Sequence, residues 1–275
     1  MAEMATKETA DVAIKSMKID KNMLNIEVEV TNKTGHFLPS GVGFRRVFLE
    51  LVVKDTTGKE MWASGKTSDL GVIVNGLTDK PLISEKGGKG TTQFQPHYQT
   101  ITAQDQVQIY QELIKDSDGH LTTSFLRRVD EIKDNRLRGK GFDPKFYLKN
   151  KSPYIQMLGE LKGQAEKDPY YYDPKLTGSD LINYKIKLDE SLMKKVGSVS
   201  VRLFNQSIPP AYLQDRFSDA QIKGGESDDI KRLFYMTSHL NTSSNKKSET
   251  NPIKDWKVLL TGACQTIDGK ACKSL

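Results

Sequence analysis

A strict alternation of apolar and polar residues is the feature that most limits how this chain can fold. Residues 24–30 read Leu-Asn-Ile-Glu-Val-Glu-Val, and the same period of two returns at residues 47–51 and 199–203. Successive side chains of a strand point to opposite faces, so this pattern predicts strands with one buried face. We therefore expect a mainly β fold, namely an antiparallel immunoglobulin-like β-sandwich with helical insertions.

Turn residues separate the predicted strands. The second strand ends at Asp55–Gly58 and residues 59–64 return from that turn, which predicts a β-meander. Residues 74–95 are rich in Gly and Lys and poor in apolar residues, and we expect an exposed, mobile loop there. Residues 116–119, Asp-Ser-Asp-Gly, start like a calcium loop but lack the later ligands, which favours a hairpin turn.

The 275 residues are enough for one large domain or a small pair. We expect residues 1–141 to form the first part of the sandwich and residues 142–178 a helical and loop insertion. Residues 179–275 hold the remaining strands and helices, which complete the same domain or a closely packed second one. Helical spacing predicts helices at about 152–167 and 227–240.

Charge and hydropathy exclude two classes of partner. The 41 Lys and Arg residues are spread among 35 Asp and Glu residues, so there is no concentrated basic stripe and we expect no nucleic-acid partner. No window approaches the ~20 apolar residues that a bilayer span requires. Charged residues are frequent in the first twenty positions, so neither a membrane span nor a signal peptide is expected within the sequence.

Cysteine usage limits the metal and haem chemistry. With Cys264 and Cys272 alone, the chain cannot hold zinc on three or four thiolates, an iron–sulfur cluster on four, or a haem at C-x-x-C-H. The Asp268–Gly269 turn signal between them can bring the two thiols together as a disulfide, which would indicate an oxidising compartment. The alternative is two unpaired thiols near a frayed terminus.

Motifs for catalysis and metal binding are absent from the sequence. None of the histidines at 36, 97, 120 and 239 has a second ligand at metal spacing, and there is no nucleophile elbow and no phosphate-binding loop. We expect no catalytic residue, no intrinsic metal site and no enzyme activity.

Two dense polar segments are the candidate contact sites. The loop at residues 32–46 contains three glycines and one proline and presents His36, Arg45 and Arg46. These side chains either bind the carbonyls of their own loop or face a partner, where an imidazole can ligate iron and a guanidinium can pair with a carboxylate such as a haem propionate. In residues 204–217, Asp215 and Arg216 lie near enough to orient neighbouring backbone groups.

Five segments in this order resemble the haem-free C-terminal region of bacterial multihaem c-type cytochromes. They are Thr-Gly-His-Phe-Leu-Pro-Ser-Gly-Val-Gly-Phe-Arg-Arg (34–46), Gln-Pro-His-Tyr (95–98), Asp-Gln-Val-Gln-Ile-Tyr (105–110), Lys-Asp-Asn-Arg-Leu (133–137) and Gln-Ser-Ile-Pro-Pro-Ala-Tyr-Leu-Gln-Asp-Arg-Phe (206–217). The resemblance extends over nearly the whole chain.

The resemblance implies an exported parent protein that carries haem c at C-x-x-C-H sites upstream and transfers electrons in the periplasm or at the outer surface. The Met-Ala start without a signal peptide would fit a piece of such a protein. This chain would then be an accessory or docking domain without covalent haem. Its partner would be the haem-bearing domain of the same parent chain or another redox protein. His36 or His97 would supply an axial ligand, and Arg45, Arg46 and Arg216 are the further contact candidates.

An independent extracellular binding module for a polysaccharide or a surface protein is the alternative. Tyr170–Tyr172 and the glycine- and lysine-rich residues 86–90 would then supply the contacts.

Overall fold

A computed structural model of the chain describes residues 8–86, 92–222, 227–239, 253–254 and 256–272. Its strands are β1 Ala10–Asp20, β2 Met23–Asn32, β3 Arg46–Asp55, β4 Glu60–Ser64, β5 Thr100–Ile101, β6 Ile109–Lys115, β7 Leu121–Thr122, β8 Asp130–Asp134, β9 Ser179–Lys187, β10 Val196–Gln206, β11 Ile253–Lys254 and β12 Lys257–Thr266. Its α-helices are α1 Pro144–Leu148, α2 Pro153–Gln156, α3 Pro169–Tyr172, α4 Glu190–Met193, α5 Pro210–Ile222 and α6 Asp228–Ser238. Single 3-10 turns lie at Ile83–Glu85, Phe125–Arg127, Met157–Gly159 and Gly163–Lys167.

The first sheet has the strand order β1-β2-β9-β5. The pairs β1-β2 and β2-β9 are antiparallel, whereas β5 runs parallel to β9. In β2 the predicted alternation is observed, since every second residue from Leu24 to Val30 is buried. These side chains form one wall of the core.

The second sheet has the order β11-β12-β10-β3-β6-β7, with β4 on β3 and β8 on β6. Strand β3 is buried on both faces. Leu49 and Leu51 on one face join the core shared with the first sheet, while Phe48 on the other face joins a smaller cluster with Ile73 and Leu82. The mainly β fold is therefore confirmed as a sandwich with helical insertions. The specific immunoglobulin-like arrangement stays a prediction.

Two of the expected connections are different in the structure. The predicted meander is wrong because β2 and β3 lie in different sheets, so the loop between them crosses from one sheet to the other. The predicted exposed loop at residues 74–95 is partly wrong: residues 77–81 are exposed as expected, but Val74, Leu82 and Gln95 are buried. Leu82 of this loop packs against Phe48, on the face of β3 that points away from the first sheet. Residues 87–91 lie outside the described part.

The helical predictions are correct in position and partly wrong in length. The helix expected at 152–167 is broken into α2 and two 3-10 turns. Gly159 lies at the break, where a larger residue would not fit, because its Cβ would lie 2.6 Å from the backbone oxygen of Pro144. Helix α6 begins at its predicted N-cap, where the Ser227 hydroxyl accepts a hydrogen bond from Ile230 N. Its predicted end at Leu240 lies outside the described residues.

The predicted disulfide joins Cys264 in β12 to Cys272, with their Cα atoms 5.3 Å apart. Gly269 takes the positive φ of 84° that the turn between them requires. This bond secures the last turn to the sheet. Separately, no described helix is long and apolar enough to cross a membrane.

Candidate functional site

The buried side chain of Asn32, at the end of β2, fixes the loop that carries His36. Asn32 Nδ2 donates to the carbonyl oxygens of His36 at 2.7 Å and Arg138 at 3.0 Å. Its Oδ1 accepts from the backbone nitrogen and the hydroxyl of Thr34, at 2.9 and 2.7 Å. The Asn32 amide therefore forms hydrogen bonds with backbone groups of the loop, at residues 34 and 36, and with the backbone of Arg138.

A second connection holds the loop beside the segment after β8. Leu38 and Leu137 exchange two backbone hydrogen bonds of 2.9 Å, and the Leu38–Pro39 peptide is cis. Segments 34–46 and 133–137, two of the five that carry the resemblance, are thus adjacent. Gly178 permits this arrangement from the other side, because a Cβ there would lie 2.6 Å from Lys140 Cα.

His36 is exposed at the rim of a groove of about 410 Å³. Its Nδ1 lies 2.9 Å from the Phe37 carbonyl oxygen, which can only accept, so Nδ1 carries the proton and donates. Within the described residues no group hydrogen-bonds Nε2. The groove is lined by Phe37, Lys140, Phe142, Tyr147 and Leu158. An imidazole held by Nδ1 with its Nε2 lone pair free is a state that can ligate a metal.

Arg138 lines a second groove of about 470 Å³, which shares Phe37 and Leu158 with the first. Its guanidinium carbon is 4.4 Å from the Phe37 ring centre and 5.0 Å from that of Phe142. Nη2 donates to the Glu160 carbonyl at 3.2 Å and is 3.8 Å from Asp134, while the buried Nε has no partner in the described structure. Burial lowers the pKa of Arg138. The side chain therefore retains a donor for an added acceptor.

The predicted contact residues Arg45 and Arg46 are used inside the fold. Arg46 is buried, donates to both carboxylate oxygens of Glu85 at 2.6 and 2.8 Å, and donates from Nε to Gln206 at 2.7 Å. Arg45 Nη1 donates to the Ser40 carbonyl of its own loop at 3.1 Å. These geometries correspond to the loop-stabilising alternative, and they do not direct either guanidinium to a partner.

Arg216 also binds within the fold. Its Nη2 donates to Asp215 at 2.9 Å and to the Thr123 hydroxyl at 3.2 Å. Asp215 in turn accepts from the Thr123 backbone nitrogen at 3.0 Å, which is the orienting role that the sequence suggested. The pair attaches α5 to the segment after β7.

His97 lies in the interior of the sandwich. Its Nε2 donates to Asp168 at 2.8 Å, and both side chains are almost fully buried, at 1% and 2% exposure. Its Nδ1 accepts from Gln108 at 2.9 Å and Asn135 at 3.2 Å. Neither amide can turn over, because their oxygens accept from the backbone nitrogens of residues 98 and 111. Both ring nitrogens of His97 are therefore occupied by groups of the fold.

Asp180 extends this interior network. Its Oδ2 accepts from Gln108 at 2.9 Å and Tyr110 at 2.8 Å, while its buried Oδ1 has no partner in the described residues. Burial raises the pKa of Asp180, whereas the hydrogen bonds from His97 and neighbouring groups hold the pKa of Asp168 below its usual range. His97, Asp168 and Asp180 lie close enough to one another to hold a cation, but N–H and O–H groups already donate hydrogen bonds to their side chains. These residues therefore form a hydrogen-bonded network in the protein interior.

Sequence reasoning did not identify the two carboxylates of this network. Asp168 stands before Pro169 and caps α3 by accepting from Tyr170 N at 3.0 Å, and that N-cap pattern was the one available signal. Asp180 lies in β9 with no local signal at all. Their convergence on His97 depends on the packing of the two sheets.

The remaining polar candidates have structural roles. Asp116 Oδ1 accepts from the backbone nitrogens of Asp118 and His120, at 3.1 and 2.9 Å, which confirms the hairpin turn. Tyr171 is buried and donates to the Asn135 carbonyl at 2.6 Å, whereas Tyr170 is half-buried and Tyr172 is exposed. Of the lysine-rich residues 86–90, positions 87–90 lie outside the described residues.

Comparison with known proteins places the chain in no family. It matches no protein-family model and no curated protein. Among solved structures it is similar to a penta-heme cytochrome c552 from Thermochromatium tepidum, with a TM-score of 0.48 and 14% identity over 97% of this chain. The chain spans 41% of the length of that cytochrome.

Proposed function

We propose that this chain is a non-catalytic docking domain of an exported multihaem cytochrome system, and that His36 ligates the iron of a haem held by its partner. That partner is a haem-bearing domain of the same parent protein or a separate redox protein. The resemblance of the five sequence segments suggests the system. The geometry of His36 carries the proposal.

Three properties of His36 support a role as a ligand. The ring is exposed, its Nδ1 is oriented by the Phe37 carbonyl, and its Nε2 is available. Axial histidines of haem iron bind through one ring nitrogen while the other donates to a carbonyl or carboxylate, which fixes the ring. The Asn32 amide holds the His36 backbone from behind, so the imidazole starts from a fixed position.

The groove beside His36 has the chemistry of a haem edge. A porphyrin presents a flat apolar ring and anionic propionates. Phe37, Phe142 and Tyr147 offer ring surface, and Lys140 offers a cation at the same groove. Lys140 takes the place of Arg46 as a candidate for propionate contact, because Arg46 is buried and paired with Glu85.

The proposal excludes catalysis by the buried polar network. The His97–Asp168 pair has the hydrogen bond of a general base and its orienting carboxylate, but a substrate cannot reach side chains that are buried to this degree. A disulfide at Cys264–Cys272 supports an oxidising location such as the periplasm or the cell exterior. The polysaccharide alternative loses one of its three tyrosines, since Tyr171 is buried, while Tyr172 is exposed.

A c-type haem peptide that carries one axial histidine and an open sixth position tests the ligand role. Adding the whole chain should convert the ferric peptide to a low-spin bis-histidine spectrum. His36→Ala should abolish that change. His239→Ala is the matched control, because His239 is also exposed and also has Nδ1 on a carbonyl oxygen, at 2.7 Å. Equal spectra for wild type and His36→Ala, with both folded by circular dichroism, would overturn the proposal.

A further inference from the structure

One segment of the chain carries a local excess of positive charge, although the basic residues as a whole are spread among acidic ones. Residues 135–159 hold six Lys and Arg residues and a single acid, Asp143, a net charge of +5 in a chain whose total is +6. Arg136 and Arg138 in this segment interact with Asp134. The unbalanced charge therefore comes from the four lysines at 140, 145, 149 and 151.

These four lysines are exposed and have no local counter-ion. In the described part of the chain, no carboxylate lies within ion-pair distance of any of them. A cluster of unpaired like charges repels itself and raises the local potential. A surface of this kind gains free energy when an acidic partner covers it.

Large apolar side chains lie exposed among the same lysines. Phe146 in α1 is 69% exposed, Tyr154 in α2 is 81% exposed and Met157 in the following turn is 63% exposed. Leu148 and Leu158 are exposed as well. Scattered single residues of this kind are common, but a contiguous group on helices that pack on one another marks an interaction surface. We call the exposed side chains of residues 140–158 the basic–aromatic face.

We infer that the basic–aromatic face docks an acidic protein surface that contributes apolar side chains to the contact. The inference rests on the proposed function in that the docked surface is that of the haem-bearing partner. The connection is physical, because Lys140 and Leu158 of this face also line the groove at His36. Docking here would therefore deliver the partner to the imidazole.

The shape of the face favours a protein over a lipid surface. Helices α1 and α2 have five and four residues, which is too short for an amphipathic helix that lies in a bilayer. The second groove, which shares Leu158, is lined by acidic and basic side chains together, among them Glu160 and Lys162. Such a mixture matches the mixed charges of a protein surface better than a uniformly anionic bilayer. A concave surface with mixed edges suits protruding side chains of a protein.

Binding of a fluorescent glutamate–tyrosine copolymer to the whole chain tests this inference at low salt and at roughly 0.2 M salt. The variant Lys140→Gln, Lys145→Gln, Lys149→Gln, Lys151→Gln should bind about tenfold more weakly and with a shallower salt dependence. The matched control removes four exposed lysines from the first sheet, Lys18→Gln, Lys21→Gln, Lys185→Gln, Lys187→Gln, and should change binding less than about twofold.

A second variant, Phe146→Ser with Tyr154→Ser, should weaken binding without changing the salt dependence. Equal losses in the lysine variant and its control would overturn the inference, because the effect would then follow total charge. Binding to phosphatidylglycerol vesicles without binding to the copolymer, or binding to neither, would overturn it too. His36→Ala should bind the copolymer normally. If the wild type coordinates the haem peptide but does not bind the copolymer, this inference is rejected and the proposed function stands. If the wild type binds the copolymer but does not coordinate the haem peptide, the proposed function is rejected.

Discussion

The side-chain amide of Asn32 donates a 2.7 Å hydrogen bond to the backbone oxygen of His36, four residues later in the chain. Asn32 is 2% exposed, whereas His36 is at the surface. A buried residue at the end of a core strand thus positions an exposed imidazole. Buried amides that satisfy several backbone groups at once are costly to replace, because each partner loses its hydrogen bond.

Asn32→Ala should lower the free energy of unfolding by about 3 kcal/mol, since it leaves the Thr34 nitrogen and the carbonyls of His36 and Arg138 without their partner. It should also weaken coordination of the haem peptide. Urea unfolding and the peptide titration check both effects. Asn25→Ala, on the partly exposed side of the same strand, should change stability by less than about 0.5 kcal/mol. Similar losses in both variants would contradict the anchoring role of Asn32.

The two buried aspartates should differ in how much stability they lose on the isosteric change to asparagine. Asp168 accepts hydrogen bonds on both oxygens, so Asp168→Asn must place an NH₂ group against a donor and should cost about 2 kcal/mol. Asp180 accepts on Oδ2 alone, so Asp180→Asn can place its nitrogen at the unpartnered position and should cost less than half as much at neutral pH. Urea unfolding of both variants makes the comparison. Equal costs would show that Oδ1 of Asp180 has an unseen donor.

The pH dependence of the Asp180 variant has a definite sign. Because burial raises the pKa of Asp180 in the folded protein, folding is favoured by its protonation. This stability is fully present below the unfolded pKa of about 4 and is lost as the pH rises through the folded pKa. The wild type should therefore gain stability relative to Asp180→Asn as the pH falls toward about 4. No change in their difference over this range would contradict the raised pKa.

Lys133 should make the protein more stable at alkaline pH. Its Nζ is buried and donates to the carbonyls of Gln95 and Ile109, and burial lowers the pKa of Lys133 to about 7. Between about pH 7 and pH 10.5 the unfolded chain binds more protons at this site than the folded chain, so the free energy of unfolding rises with pH. Lys133→Met should reduce this rise by roughly 1 kcal/mol per pH unit.

Urea unfolding at about pH 7.5 and about pH 9.5 gives the slope for each protein. Lys185→Met, which replaces an exposed lysine, should keep the wild-type slope. If the slope of Lys133→Met equals that of the wild type, the Lys133 amine has its ordinary pKa, and the burial of this amine in the structure is contradicted.

The disulfide should contribute about 2 kcal/mol to stability, because it closes a short loop with a sequence separation of 8. Cys264→Ser with Cys272→Ser should show this loss in urea unfolding, and so should the wild type in reductant. Reductant should leave the double variant unchanged. A wild type that is insensitive to reductant would contradict the contribution.

Most strands could be predicted from residues close together in sequence. The alternation at 24–30 and at 199–203 identified β2 and β10, since a strand with one buried face needs nothing beyond that local period. The turns at 116–119 and 268–269 followed from Asp and Gly, whose side chains and backbone freedom act within a few residues. The disulfide followed from such a turn.

The pairing of the strands could not be predicted in the same way. β2 and β3 were both predicted as strands with one buried face in one meander, but the structure assigns them to different sheets and buries β3 on both faces. Local pattern also suggested an exposed loop where Val74 and Leu82 are buried, because their burial depends on the outer face of β3. Loop burial is a property of what packs against it.

In the candidate site, too, some features follow from the sequence and others depend on the tertiary structure. The sequence alone determined that residues 34–46 form an irregular loop with one imidazole and two guanidinium groups, and that no haem can attach to this chain through C-x-x-C-H. The tertiary structure decided which of these groups faces outward: His36 has a free nitrogen, whereas Arg46 is paired with Glu85 and His97 with Asp168. The physical reason is that burial and hydrogen bonding arise from contacts between residues far apart in sequence. Residue type fixes what a side chain can do, and its neighbours in space fix whether it is free to do so.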